Sequence, residues 1–232
     1  MSEKVIHYLA EGLLGDFIMQ LSIVCENFHK TGKKGVVHMI GTNFRSGLEK
    51  TYEEIHSIIT SQYYIENLTM ELPENFDNAI YISSWRNSHL LFQVNFFELF
   101  LHEYQIEMGN HAWITTNVDD AWSSKILIHI TKYRFPVDLN FSDIVSQYGE
   151  DNIVFLDLEI GDYDFFVNRT GVSLPHIYKP ASFVELCTMI QSCALFIGSA
   201  SMPSCVARAM RKKKIIGMPP DKNDFILLDG LI

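Results

Sequence analysis

The chain reads as an α/β protein built from two parallel-sheet halves, and three observations point there. Short apolar runs alternate with helical patterns along nearly all 232 residues. The alternation breaks once, between Met108 and Ser124, and then restarts. Each half opens on a strand, and repeated strand–helix–strand units imply parallel sheets covered by helices.

In the first half, Val5–Leu9 reads as strand and Asp16–His29 as helix, with Phe17, Ile18, Leu21, Val24, Cys25 and Phe28 at helical spacings. Thr31-Gly32 supplies the glycine stop. Gly35–Ile40 follows as strand, Leu48–Ser61 as helix, Tyr64–Met70 as a weak strand and Ala79–Ser83 as strand. His89–Glu107 reads as one long helix, with Leu90, Leu91, Val94, Phe97, Leu101 and Tyr104 on one face. The irregular stretch, with its Asp119-Asp120 pair, marks a boundary that we place between residues 115 and 116.

The second half restarts with strand Lys125–Ile130, helix Phe141–Tyr148, strand Ile153–Leu158 and a short strand His176–Tyr178. Asp162-Tyr163-Asp164 reads as a solvated loop. Helix Ser182–Cys193 opens on a capping box, Ser182 with Glu185. Strand Ala194–Gly198, helix Pro203–Met210 and strand Lys214–Gly217 complete the order.

Composition narrows the function. The chain is 47% hydrophobic, 20% charged and 12% aromatic, with a net charge of −10. A nucleic-acid backbone needs a positive face, so the cluster of Arg208 and Arg211 to Lys214 is a local feature, either a solvated helix end or an anion site. The start Met-Ser-Glu-Lys carries no secretory pattern, and no apolar run approaches 18 residues. Cys25, Cys187, Cys193 and Cys205 lack metal-ligand spacing, so we expect reduced core thiols and a cytoplasmic location. The sequons at Asn67, Asn140 and Asn168 are then chance matches. His38, His102 and His176 are scattered without ligand spacing, and we expect no metal and no cofactor.

Four segments have the residue types for chemistry. Glu11-Gly12-Leu13-Leu14-Gly15-Asp16 turns from the first strand into a helix; Asp16 there is either a first-turn carboxylate complementing the helix dipole or a general base held over a pocket. Gly198-Ser199-Ala200-Ser201-Met202-Pro203-Ser204 joins a buried strand to a helix that Ser201 caps. Its hydroxyls and amides form either a diphosphate cradle or simply a well-capped loop. Thr131, Lys132 and Arg134 follow the first strand of the second half, as phosphate contacts or as a solvated loop. Trp85 and Arg86 follow the Ala79–Ser83 strand and could line an acceptor pocket. A dinucleotide fold is disfavoured, because Gly12-x-x-Gly15 lacks the third glycine, and Gly41, Thr42 and Asn43 stand where a ribose-binding acid belongs.

The order of these pieces resembles the heptosyltransferase-type glycosyltransferases, glycosyltransferase family 9. The Gly15-Asp16 turn, the segment from Ser182 to Gly198 and the run from Ser201 to Met210 carry the resemblance, over residues 4–40 and 125–220. It implies the GT-B fold of two facing Rossmann-like domains: an acceptor domain at 1–115 and a nucleotide-sugar domain at 116–232. It implies transfer of a hexosyl or heptosyl group from a nucleotide-diphosphate donor to a glycan hydroxyl, inverting and metal-independent, with Asp16 as base. Donor contacts fall on Thr131, Lys132, Arg134, Gly198, Ser199, Ser201 and Ser204, and acceptor contacts on Gly12, Gly15, Trp85 and Arg86. This chain has Ala200 where the family usually has an acid and Cys205 where a histidine is common. The alternative is a nucleotide- or glycan-binding protein on the same scaffold without turnover.

Overall fold

The computed structural model describes residues 5–217 and divides the chain into two compact units, 1–115 and 116–232. The first contains β1 (Val5–Ala10), α1 (Leu14–Thr31), β2 (Lys34–Met39), α2 (Leu48–Thr60), β3 (Ile65–Thr69), β4 (Ile80–Tyr81) and α3 (Phe96–Tyr104). Its strands form a parallel sheet in the order β3-β2-β1-β4. The second contains β5 (Ile126–His129), α4 (Phe141–Tyr148), β6 (Ile153–Leu156), α5 (Asp162–Thr170), β7 (Ile177–Tyr178), α6 (Phe183–Ser192), β8 (Leu195–Gly198), α7 (Met202–Ala209) and β9 (Lys214–Ile216). Its sheet, also parallel, runs β7-β6-β5-β8-β9.

Both sheets have the doubly wound order: the chain moves outward in one direction from its first strand, then returns to add the fourth on the other side. The apolar runs explain the parallel pairing, since a strand covered by helices on both faces is buried throughout. Every residue of β5, β6 and β8 is buried. In the second unit Phe155 and Phe166 pack between Ile128, Ile153 and Ile197, with Phe141 edge-on to Phe166 at 5.1 Å.

Three sequence expectations need correction. The helix expected over His89–Glu107 is confined to Phe96–Tyr104. Asn95 caps it, accepting from the Phe97 and Glu98 amides while Glu98 reaches back to the Asn95 N–H. This capping box fixes the start, and Phe92, at φ 64, interrupts the upstream pattern. Asp162-Tyr163-Asp164 opens helix α5 instead of lying in a loop; Gly171 in the left-handed conformation stops that helix, and its two acids favour the positive helix start. The Ala79–Ser83 strand shortens to Ile80–Tyr81.

The irregular stretch before Thr116 belongs to the first unit and is tied into it by side chains. Trp113 is buried, its Nε1 donating to the Ile18 carbonyl at 2.8 Å, and Tyr64 donates to the Trp113 carbonyl at 2.6 Å. Gln62 closes the segment by bonding both the N–H and the C=O of Thr115.

Candidate functional site

In each unit the strand order reverses between the first strand and the fourth, and the loops leaving those two strands meet at the carboxyl rim. Such a switch point leaves a crevice that ligands occupy in open α/β sheets. In the first unit it lies between β1 and β4, which places Asp16 opposite Arg86.

That pairing is the central feature of the first unit. Asp16 is the third residue of α1, and its carboxylate is ion-paired and hydrogen-bonded to the Arg86 guanidinium. Arg86 lies 4.7 Å over the Trp85 ring. It also presses against Gly12, where an added Cβ would collide with the guanidinium. Gly12 is therefore glycine for two reasons, this close approach and its φ of 118. Gly15 is different: it stands inside α1, so the turn depends on Gly12 alone.

A polar network that sequence inspection missed holds the two loops together. Ser83 accepts from the Glu11 N–H at 2.9 Å and donates to Gln20 Oε1 at 2.9 Å, while Gln20 Nε2 donates to the Glu11 carbonyl at 3.0 Å. Gln20 is buried in a helix face that otherwise reads as core, and that buried amide was the available signal. Tyr104 accepts from Ser84 Oγ at 3.0 Å and from the Trp85 N–H at 3.1 Å, fixing the backbone beside Arg86. Tyr81 donates to the Glu11 carboxylate. Burial, reinforced by that bond, pushes the Tyr81 hydroxyl up to about 12 and keeps it protonated as a donor. Glu11 is thus a second carboxylate on the rim, filling space beside Gly41 that a side chain there would occupy.

The second switch point, between β5 and β8, is built around a serine-rich loop, and no carboxylate among the described residues belongs to the groups that hold it. Ser199, Ser201 and Ser204 are all buried, and their hydroxyls hold the loop itself. Ser199 Oγ accepts from the Thr131 N–H at 3.0 Å; Ser201 Oγ donates to the Ser199 carbonyl at 3.2 Å; Ser204 Oγ accepts from the Ser201 N–H at 2.9 Å. Arg134 Nη1 donates to the Ala200 carbonyl at 3.2 Å. The structure thus brings Thr131, Arg134, Gly198, Ser199, Ser201 and Ser204 together. Pro203 has no N–H, the Ser204 N–H is capped by the Ser201 side chain, and the Ser199 and Ser201 N–H groups bond the His129 carbonyl and Ser204 Oγ. Among the described residues of the loop, the Ala200 and Met202 amides are therefore the ones left to meet a ligand. Lys132 is exposed on the same rim.

His129, which opens the segment running to Arg134 but was assigned no role from the sequence pattern, ends β5 beneath this loop. It is wholly buried, which pushes its imidazole down to about 4, and Nδ1 lies 3.2 Å from Ser201 Oγ. Asp162 is the other surprise. It is 1% exposed, and neither of its carboxylate oxygens has a partner among the described residues. Burial, with Glu159 and Asp157 nearby, lifts its carboxyl to about 6 against the opposing pull of Lys132.

Among the described residues no group of three or more His, Cys, Asp or Glu is arranged to hold a metal. The four cysteines are buried and unbridged. His38 is buried, bonded to His7 at 2.8 Å and to the Glu71 carbonyl at 2.5 Å. No helix among the described residues is long and apolar enough to cross a membrane.

The fold has solved counterparts. The chain is similar to Escherichia coli heptosyltransferase WaaC, crystallised with ADP-2-deoxy-2-fluoro heptose (TM-score 0.51, 9% identity, covering 91% of this chain and 88% of that one). It is similar to a family 9 glycosyl transferase from Veillonella parvula (TM-score 0.58, 10% identity, 95% and 83%). A third likeness is to the iron-containing dodecameric glycosyltransferase TibC from enterotoxigenic E. coli (TM-score 0.62, 13% identity, 91% and 57%), of which the chain spans little more than half. No family model and no curated protein matches the sequence. The chain therefore has the α/β fold of the heptosyltransferases and family 9 glycosyltransferases, with two parallel sheets.

Proposed function

We propose that the protein is a glycosyltransferase of GT-B type, moving a hexosyl or heptosyl group from a nucleotide-diphosphate sugar to a glycan hydroxyl with inversion. The observation that carries the reading is the pair of switch points on a fold shared with sugar-nucleotide enzymes, one bearing an ordered carboxylate and the other a serine-rich loop at a helix start. The acceptor binds at the first unit, against Gly12, Gly15, Trp85 and Arg86. Asp16 takes the hydroxyl proton as the oxygen attacks the anomeric carbon and the bond to the diphosphate breaks. Arg86 holds the carboxylate in one orientation.

The nucleotide binds at the second unit, with its diphosphate over Gly198–Ser204. Directed amides stabilise the charge developing on the leaving diphosphate, and Lys132 and Arg134 add positive charge, so no metal is required. Asp157 and Asp162 stand after β6, the second strand of that sheet, where doubly wound folds place an acid against ribose hydroxyls.

The test is transfer from a panel of nucleotide sugars by the wild type against Asp16→Asn. Full transfer by a folded Asp16→Asn variant would remove Asp16 from the role of base. A second reading, binding without turnover, is favoured by the engagement of Asp16 with Arg86. Tight nucleotide binding with no product on any acceptor would select it.

A further inference from the structure

We propose that His129 is the positioning residue of the second switch point: it sets the shape of the 199–204 loop and thereby its affinity for a diphosphate. The proposal rests on the donor reading in one respect, that this loop receives the diphosphate. Its hold on the loop is independent of that reading.

The rest of β5 is Ile126, Leu127 and Ile128, all buried. A polar ring at the end of such a strand costs free energy unless it is bonded, so an aliphatic residue would serve packing better. Position 129 meets the loop twice, through a backbone bond that any residue would make and through the imidazole ring. Its carbonyl accepts from the Ser199 N–H at 3.0 Å, and its ring meets Ser201 Oγ at 3.2 Å. A hydroxyl has one proton to give, and Ser201 donates to the Ser199 carbonyl. With that donation assigned, the matching tautomer carries the ring proton on Nδ1, and the neutral imidazole is the donor.

These contacts flank Ala200, whose carbonyl Arg134 holds from the other side. Gly198 lets β5 and β8 approach this closely, since a Cβ there would stand 2.6 Å from the His129 carbonyl oxygen. The loop is thus clamped at 199, 200 and 201, and the two amides it leaves without a partner among the described residues, those of Ala200 and Met202, are set in place before any ligand arrives. A preformed donor set avoids the ordering cost on binding.

The test uses the full chain as wild type, His129→Leu, His129→Asn and Ser201→Ala. Asparagine retains an N–H donor close to the position of Nδ1; leucine keeps bulk without it. Two measurements are made: calorimetry with ADP and with UDP, and amide hydrogen exchange over residues 199–204. For His129→Leu we expect about tenfold weaker nucleotide binding and about tenfold faster loop exchange, the scale of one lost buried hydrogen bond, with β5 still protected. Ser201→Ala should reproduce both effects, and His129→Asn should stay within about threefold of wild type.

A loss of stability in His129→Leu with unchanged loop exchange would reduce His129 to a packing residue and overturn the proposal. Equal nucleotide affinity in all variants would do the same while leaving the donor reading intact. If neither nucleotide binds the wild type but loop exchange separates leucine from asparagine, the donor reading fails and the positioning role stands.

Discussion

The two switch points share a topology and differ in chemistry. Between β1 and β4 the rim is charged: Asp16 on Arg86, Glu11 on Tyr81, with backbone fixed by Gln20, Ser83 and Tyr104. Between β5 and β8 no carboxylate among the described residues holds the loop; serine hydroxyls, one buried imidazole and the Arg134 guanidinium do. The first arrangement holds a carboxylate still, which under the proposed function would suit proton transfer. The second keeps carboxylates away from the loop, which under the proposed function would suit an anionic leaving group. One strand order supports both because the loops leaving the strands, and not the sheet, carry the chemistry.

The comparison is broken most directly at Asp16. Asp16→Asn should lower transfer by about 10²- to 10⁴-fold, the usual worth of a general base, while ADP affinity stays at the wild-type value. A fall in ADP affinity, measured by calorimetry, would mean the two rims do not divide the work.

Acid should act on the second rim through His129. Its folded-state pKa of about 4 lies below the unfolded value of 6.5. Above pH 6.5 neither state is charged and the stability is complete. As pH falls from 6.5 toward 4 the unfolded chain binds a proton that the folded chain refuses, removing about 3 kcal/mol at roughly 1.4 kcal/mol per unit. Asp162 works in the opposite sense, because a carboxyl raised to about 6 in the folded state relieves a buried charge as pH falls through that value. Equilibrium unfolding at pH 7 and pH 4.5 should therefore show a steeper acid loss in Asp162→Asn and a shallower one in His129→Leu.

Gly198→Ala sharpens the contrast in packing. Its Cβ would meet the His129 backbone carbonyl, which cannot swing aside as a side chain can, so we expect about 1–3 kcal/mol of destabilisation. Thermal unfolding with no shift in midpoint would show that the strands separate freely. Ser201→Asp should weaken ADP binding by more than about tenfold, because it sets a charge beside the diphosphate. Lys132→Ala should cost only about threefold and flatten the salt dependence, as expected for an exposed charge. Equal losses in these two variants would erase the distinction between a built site and a surface charge.

Much of the architecture was legible because apolar residues must be buried and their spacing differs between helix and strand. The glycine stop at Gly32, the Ser182 and Ser201 caps and the apolar runs of β5, β6 and β8 each carry a local physical signal. The sequence failed where that signal was weak or contested. Leu90 and Leu91 continue the helical spacing, yet the Asn95 capping box starts the helix after them. The acidic start of α5 looks like a loop until a left-handed glycine closes it.

The candidate site divides in the same way. Asp16, Arg86, Ser199, Ser201 and Thr131 were legible as residues of suitable chemistry at strand ends. Their partnerships were not, since Asp16 and Arg86 lie 70 residues apart and Thr131 and Ser199 lie 68 apart. Local sequence determines which segments form strands and helices and which residue types stand at their ends. Strand order is a long-range property, and only it decides that the first and fourth strands adjoin. That adjacency turned the serine hydroxyls inward, buried His129 beneath them and placed Asp16 on an arginine.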